Sequence, residues 1–320
     1  MTITSGSNIL ASDFNDIAGT INATSAYPSS IAATAKVAAL YGVGYGDRGY
    51  GQTSPALNSV SAGNPIRAQD FLDLRSAISA ICSYQGTSQT TLPVASIFTP
   101  GANVNTAAHA VLASYASTID ANRLVAAAAN MAVTPSALSV SRTAAWGTST
   151  GGITCEVTAA FPSEDAARFF FNSGGSINLV MAHASTASPQ DTFWTNVLSA
   201  LGTIKIGARS TSRSGSGGTP AAIGYYNLTA AYQNVLDGTN IAAGAYSAND
   251  VLVQAAALSI AGVNGGNGTA VKIRVLLTDQ HTNSFYDSVR AGTSATFGFT
   301  KAASVLTGIA TPVFTTNTNF

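Results

Sequence analysis

The chain has 320 residues with 14 basic and 14 acidic side chains, so its formal net charge at pH 7 is zero. Only 9% of residues are charged and 46% are hydrophobic, against a usual charged fraction of about 25%. This composition excludes a disordered chain and a nucleic-acid binder, which needs a basic face to displace counterions; zero net charge also favours association over self-repulsion.

The N-terminal residues MTITSGSNIL carry neither a basic region nor an apolar run, so no cleavable export signal is read there. An internal repeat follows. Residues 9–23 (ILASDFNDIAGTINA) align with residues 66–80 (IRAQDFLDLRSAISA), sharing Ala11/Ala68, Asp13/Asp70, Phe14/Phe71, Asp16/Asp73 and Ile21/Ile78. Both copies have helical periodicity. Phe14, Ile17 and Ile21 share a face in the first; Phe71, Leu74 and Ile78 do so in the second. The aspartates lie in the opening turns, where they favour the positive helix end, and Gly86 ends the second helix. Two copies are too few for a solenoid. They fit a helix that pairs with its duplicate or docks twice on a repeated partner.

Between the copies, GVGYGDRGYGQ (residues 42–52) reads as a glycine-rich loop with aromatic pegs at Tyr45 and Tyr50, ending at Gln52. It lacks the Lys-Ser/Thr ending of a phosphate loop. A third helix is predicted from Thr106 to Met131, with His109, Leu112, Tyr115, Ala116, Ile119 and Arg123 on one stripe. The most apolar stretch, Leu124 to Val133, contains Asn130 and is far shorter than the about 20 residues that span a bilayer.

The pattern changes near Pro135. Strand character appears at Ile153–Phe161, Ser176–Met181, Thr203–Ile206, Ala222–Leu228, Val251–Leu258, Val271–Leu277 and Thr296–Thr300, with glycine-rich turns between. Helices are predicted at Ser163–Asn172, whose Ser-Glu-Asp opening is a start signal, and at Trp194–Leu201. The fold class expected is therefore α+β. A mainly helical attachment and oligomerisation region occupies residues 1–135, and a β-sandwich or jelly-roll-like domain occupies 136–320.

Candidate chemistry is sparse. Asp279 and His281, with Asp287 nearby, form the best polar cluster for a divalent metal, but no complete motif is present and a polar turn is the simpler reading. Glu156, Glu164 and Asp165 do not present a carboxylate pair for glycoside cleavage. His109 and His183 have no partners at triad spacing, and no G-x-S-x-G segment occurs. Cys82 and Cys155 are read as buried thiols, and Arg209 and Arg213 as a small basic loop. Asn22, Asn227 and Asn267 lie in N-x-Thr sequons, which carry little weight without a secretion signal. No catalytic residue, metal or cofactor is expected.

Several segments together resemble virion structural proteins of tailed bacteriophages, a group common in phages of cyanobacteria and marine bacteria. In the first half these are Ala11–Asn15, Gly49–Gln52, Val60–Gly63, Ile66–Ile81 and Tyr84–Gly86. In the second half they are Ala167–Gly175, Trp194–Asn196, Leu201–Ile204, Gly224–Thr229, Gly265–Gly268 and Thr278–Thr282. Phe71 replaces a tryptophan and Tyr84 a histidine frequent in that group. The resemblance implies a non-enzymatic architectural role as a tail, neck or fibre-type subunit. Its partners would be other virion proteins and further copies of itself, without nucleic acid or membrane.

On this reading Phe14, Ile17, Ile21, Phe71, Leu74 and Ile78 are the docking face, and the Tyr45–Gln52 loop, with Tyr50, threads between partners. A capsid decoration protein and a host-surface glycan-binding adhesin, the latter using Tyr225, Tyr226 or Tyr246, are the alternatives. A depolymerase would need a carboxylate pair that the sequence does not display.

Overall fold

The structure is a computed structural model of the full chain, and it describes residues 9–19, 37–100, 106–147, 151–238, 246–281, 288–303 and 306–320. It is a mixture of helices and two antiparallel sheets, so the α+β class holds.

The N-terminal part contributes α1 (Ala11–Ala18), α2 (Val37–Tyr41), α3 (Ala68–Gln85) and α4 (Thr106–Ala121). The repeat accounts for α1 and α3. In both, the aspartate of the opening turn reaches back to the backbone N–H that precedes the helix. Leu10 N donates to Asp13 at 2.8 Å, and Arg67 N donates to Asp70 at 2.7 Å, satisfying an otherwise orphan donor. The equivalent rings Phe14 and Phe71 meet edge-on at 5.2 Å, and Phe71 stacks on Phe98 at 5.4 Å. The two copies thus meet inside the chain through these equivalent rings. The predicted third helix stops at Ala121, ten residues early. There the chain turns so that Arg123 reaches Asp47 at 2.9 Å and the Asp120 carbonyl at 3.0 Å.

The first sheet contains β1 (Met131–Ser141), β3 (Ser176–His183), β4 (Thr203–Ile206), β5 (Thr211–Arg213) and β10 (Thr293–Ala302), in the order β1-β10-β3-β4-β5. The second contains β2 (Gly151–Ala160), β6 (Thr219–Pro220), β7 (Gln233–Asp237), β8 (Asp250–Leu258), β9 (Ala270–Asp279) and β11 (Val313–Thr318), in the order β11-β2-β9-β8-β7-β6. Strand β1 spans the position at which the sequence places a domain boundary. Alternation sets the buried faces: Ile153, Cys155, Val157 and Ala159 on β2, and Val271, Ile273, Val275 and Leu277 on β9. The predicted strand at Ala222–Leu228 is instead a 3-10 turn over Tyr225–Asn227. The Tyr225 ring stacks on Phe171 at 4.5 Å and its hydroxyl donates to Gly268 O at 2.8 Å, which outweighs its strand propensity.

Two helices pack on the sheets, and the first of them also reaches the N-terminal part. Ser163 and Ser188 cap α5 (Glu164–Asn172) and α6 (Pro189–Leu201), accepting from the N–H groups of Ala166 and Asp191 at 3.1 and 3.0 Å. The buried apolar side chains run without a break from α1 to β11.

Candidate assembly interface

The sequence-predicted docking face lies inside the chain. Phe14, Ile17, Phe71, Leu74 and Ile78 are all buried in its own core. Their apolar surface is already covered, so in this conformation they present nothing for a separate protein to dock on. Ile21 lies outside the described residues.

The glycine-rich loop is likewise held within the chain. Arg168 of α5 is completely buried. It donates to Val43 O at 3.0 Å, Arg48 O at 2.9 Å and Gly46 O at 3.3 Å, and pairs with Asp165 at 2.5 Å. Asn172, one helical turn on, donates to Gly46 O and Gly49 O, both at 3.1 Å. Tyr226 adds a hydrogen bond to Gly46 O at 2.6 Å. Glycine is required at Gly49, where φ is +113° and a Cβ would strike the Val43 carbonyl. Tyr50 is fully buried, its hydroxyl donating to Arg123 O at 2.6 Å, and Gln52 is tied to Thr307 O at 3.0 Å. Tyr45, partly exposed, lies over Gly265. Asp47 beside it gathers Arg123 at 2.9 Å and Arg209 at 2.5 Å, and Arg48 pairs with Asp120 at 2.6 Å. The basic loop expected at Arg209 is therefore a partner of this buried carboxylate, while Arg213 binds the carbonyls of Ser216 at 2.8 Å and Gly218 at 3.0 Å.

The candidate chemical groups are also occupied. Asp279 is buried, accepting from the Gln190 amide and from His281 N. Among the described residues no three His, Cys, Asp or Glu side chains are grouped to hold a metal, and Asp287 lies outside them. Glu164 accepts from the N–H groups of Gly262, Val263 and Gly268 at 3.1, 2.8 and 2.7 Å, pinning the 262–268 turn. Glu156 faces Lys272 at 2.5 Å and Arg274 at 3.1 Å rather than another carboxylate. Tyr225 is buried, and Tyr246 stacks on Phe193 at 4.9 Å and meets His281 edge-on at 4.5 Å. Cys82 and Cys155 are buried thiols, pushed up to about 11 and about 12 by burial, and so are held protonated.

One arrangement, signalled by no sequence motif, has the outline of a nucleophile with its base. Thr293 Oγ1 lies 3.0 Å from His183 Nδ1, and His183 Nε2 lies 3.1 Å from Asp191 Oδ1. Thr293 also accepts the Trp146 indole N–H at 3.0 Å. Its own proton then goes to Nδ1, leaving Nε2–H to face the carboxylate. All three side chains are buried, so no substrate reaches the hydroxyl. The line ties β3, β10 and α6 together.

Three carboxylates set a pH dependence. Burial alone would raise them, but it is outweighed: by Arg123 and Arg209 at Asp47, by Lys272, Tyr232 and Arg274 at Glu156, and by the Arg290 N–H, Ser185, Ser188 and His183 at Asp191. All three are held below the usual carboxylate range. Their contribution is complete above the unfolded values, about 4, and is lost as pH falls through the depressed folded ones. Urea midpoints are expected to stay level between about pH 7 and pH 5 and to fall below about pH 4. Asp47→Asn should make that fall shallower.

What remains exposed is one side of the sheets. At the β5/β6 side the strands are short and the chain bridges the two sheets, with Thr211 N donating to Ala221 O and Ala221 N to Val235 O. At the opposite side, β1 and β11 pass close to each other as the terminal strands of the two sheets. They are 11 and 6 residues long, carry no charge and are mostly exposed, with only Val140 of β1 buried and Leu138 and Phe314 packed against the core. Val133 is 61% and Val313 67% exposed. A two-residue shift in register at Pro135 divides β1 into Met131–Thr134 and Leu138–Ser141, and Gly298 opposite leaves room for the carbonyls of that bulge.

Neither family models, curated proteins nor solved structures give a match to this chain. Among the described residues, no helix is long and apolar enough to cross a membrane.

Proposed function

We propose that the chain is a non-enzymatic structural subunit of a tailed-phage virion, of tail, neck or fibre type. Its two sheets face each other as a β-sandwich, and it joins further copies of itself and other virion proteins through the β1/β11 side. The observation that carries this reading is the asymmetry of the sheet edges. One side is shortened and bridged; the other offers two long, uncharged strands. Soluble monomers usually guard such edges with lysines, prolines or covering elements, and here only Pro135 serves. Low charge and zero net charge support association, and the phage-type segments of the sequence supply the setting.

The test is the copy number and position of the chain in intact particles, by quantitative mass spectrometry and labelled-antibody imaging. A few to a few dozen copies at the tail or neck is the expected result. Hundreds over the head would replace it with capsid decoration, and absence from particles would overturn the virion assignment.

A further inference from the structure

Across the outer face of the first sheet runs an open groove of about 640 Å³. Its lining includes the exposed residues Ser210 and Ser212, Val133, and the cations Lys205 and Arg209, the latter half-exposed beside Asp47. Ser176 and Thr300 also line it, but their hydroxyls are bonded to Asn178 at 2.9 Å. No carboxylate lines it. The surroundings are also electropositive. Lys205 has no carboxylate partner among the described residues, and the neighbouring Arg48, Arg123 and Arg209 share only Asp47 and Asp120. A cleft lined by one sign of charge raises the local concentration of the opposite sign. In a chain of zero net charge this local excess has to be offset elsewhere, so it is a property of the place and not of the composition.

Charge density identifies the ligand class. A nucleic acid strand presents a phosphate at every residue and demands a dense row of cations with aromatic stacking platforms. This groove has two cations, the exposed serines Ser210 and Ser212, and one aromatic lining residue, Phe171, which is fully buried and offers no stacking platform. That pattern suits a ligand rich in hydroxyls with widely spaced negative charges. We propose that the groove binds an acidic oligosaccharide. Lys205 and Arg209 would meet its carboxylate or sulfate groups, the exposed Ser210 and Ser212 hydroxyls its ring hydroxyls, and Val133 the apolar face of a sugar. The groove lies within one chain, and Lys205, Arg209, Ser210 and Ser212 lie away from the β1/β11 side; only Val133 is shared with it.

The test is titration calorimetry of the full chain at low salt with tetragalacturonate, tetramannuronate and a sulfated tetrasaccharide. Maltotetraose serves as the neutral control and a short oligothymidylate as the nucleic-acid control. At least one acidic sugar is expected to bind, with binding weakened by added salt and at least about tenfold by Lys205→Glu, a change in charge at one partner of the ligand. Lys205→Arg should preserve binding. Lys205 is half-exposed, so the variant is expected to keep the wild-type near-ultraviolet circular dichroism. Ser212→Glu, at an exposed lining position, provides a second charge reversal. Failure of all three acidic sugars at about 10 mM, a range that admits even weak sites, would overturn the proposal. So would binding indifferent to both variants, or tighter binding of the oligothymidylate.

Discussion

Arg168→Met is expected to destabilise the chain by about 3 kcal/mol, the low end of the range for breaking a buried charge pair, because Asp165 is partly exposed and can be re-solvated. The side chain has no exposure, and methionine matches its apolar stem but none of its donors. Three carbonyls of the glycine-rich loop, those of Val43, Gly46 and Arg48, lose a charged donor together. Each unpaired buried acceptor costs about 1–3 kcal/mol, reduced where another donor remains. Gly46 O keeps Asn172 and Tyr226, whereas Val43 O and Arg48 O lose the donor that reaches them from α5. Asp165 keeps the amide of Asn264 at 2.9 Å. Amide hydrogen exchange should then accelerate over residues 42–51 before it does so in β2, β8 or β9. A uniform loss of protection over the whole chain would instead show that the loop is not a separate latch. Equal urea midpoints for variant and parent would remove Arg168 from any part in holding it.

This latch also marks how far the sequence could be read. The helix start at Ser163 and the long central strands β2, β8 and β9 were legible, because they follow from local periodicity and capping, whereas β6, β7 and β11 carried no such signal. The fate of the glycine-rich loop was not. Arg168 and Gly46 are 122 positions apart, and nothing in either segment names the other. The loop was therefore expected to engage partners when it engages α5. The same limit produced the error over the docking face. Amphipathicity says that Phe14 and Phe71 have an apolar side to bury; it does not say against what, and here each buries the other. The strand expected at Ala222–Leu228 failed because a distant contact, Tyr225 on Phe171, decides its backbone. The exposed residues of β1 were hidden for the opposite reason. The bulge at Pro135 interrupts the alternation of the strand and only Val140 is buried, so Met131–Ser141 was divided between a helix and a domain boundary.

The bare edge yields the other large effect. Ala137→Lys together with Val313→Lys is expected to convert an assembled chain into a monomer. Both positions are exposed, so folding stability should change by no more than about 0.5 kcal/mol. Assembly through the edge should respond steeply. Two chains meeting at β1 and β11 would bring the introduced charges close together in a surface being removed from water, and like charges so placed cost several kcal/mol. This is the protective device that edge strands of monomers commonly carry and these two lack. Sedimentation velocity over a range of concentrations measures the outcome. Ser216→Lys, on the β5/β6 side where the sheets are already bridged, is the matched control and should leave the assembled species in place. If the β1/β11 variant still assembles while Ser216→Lys does not, the interface lies on the other side of the sheets. If the parent chain sediments as a monomer at every concentration, self-association through this edge is wrong, and β1 and β11 then need a different partner to cover them. The sign of the result therefore separates three physical situations: an edge that pairs with its own copy, an edge that is bridged at the far side, and an edge reserved for another protein.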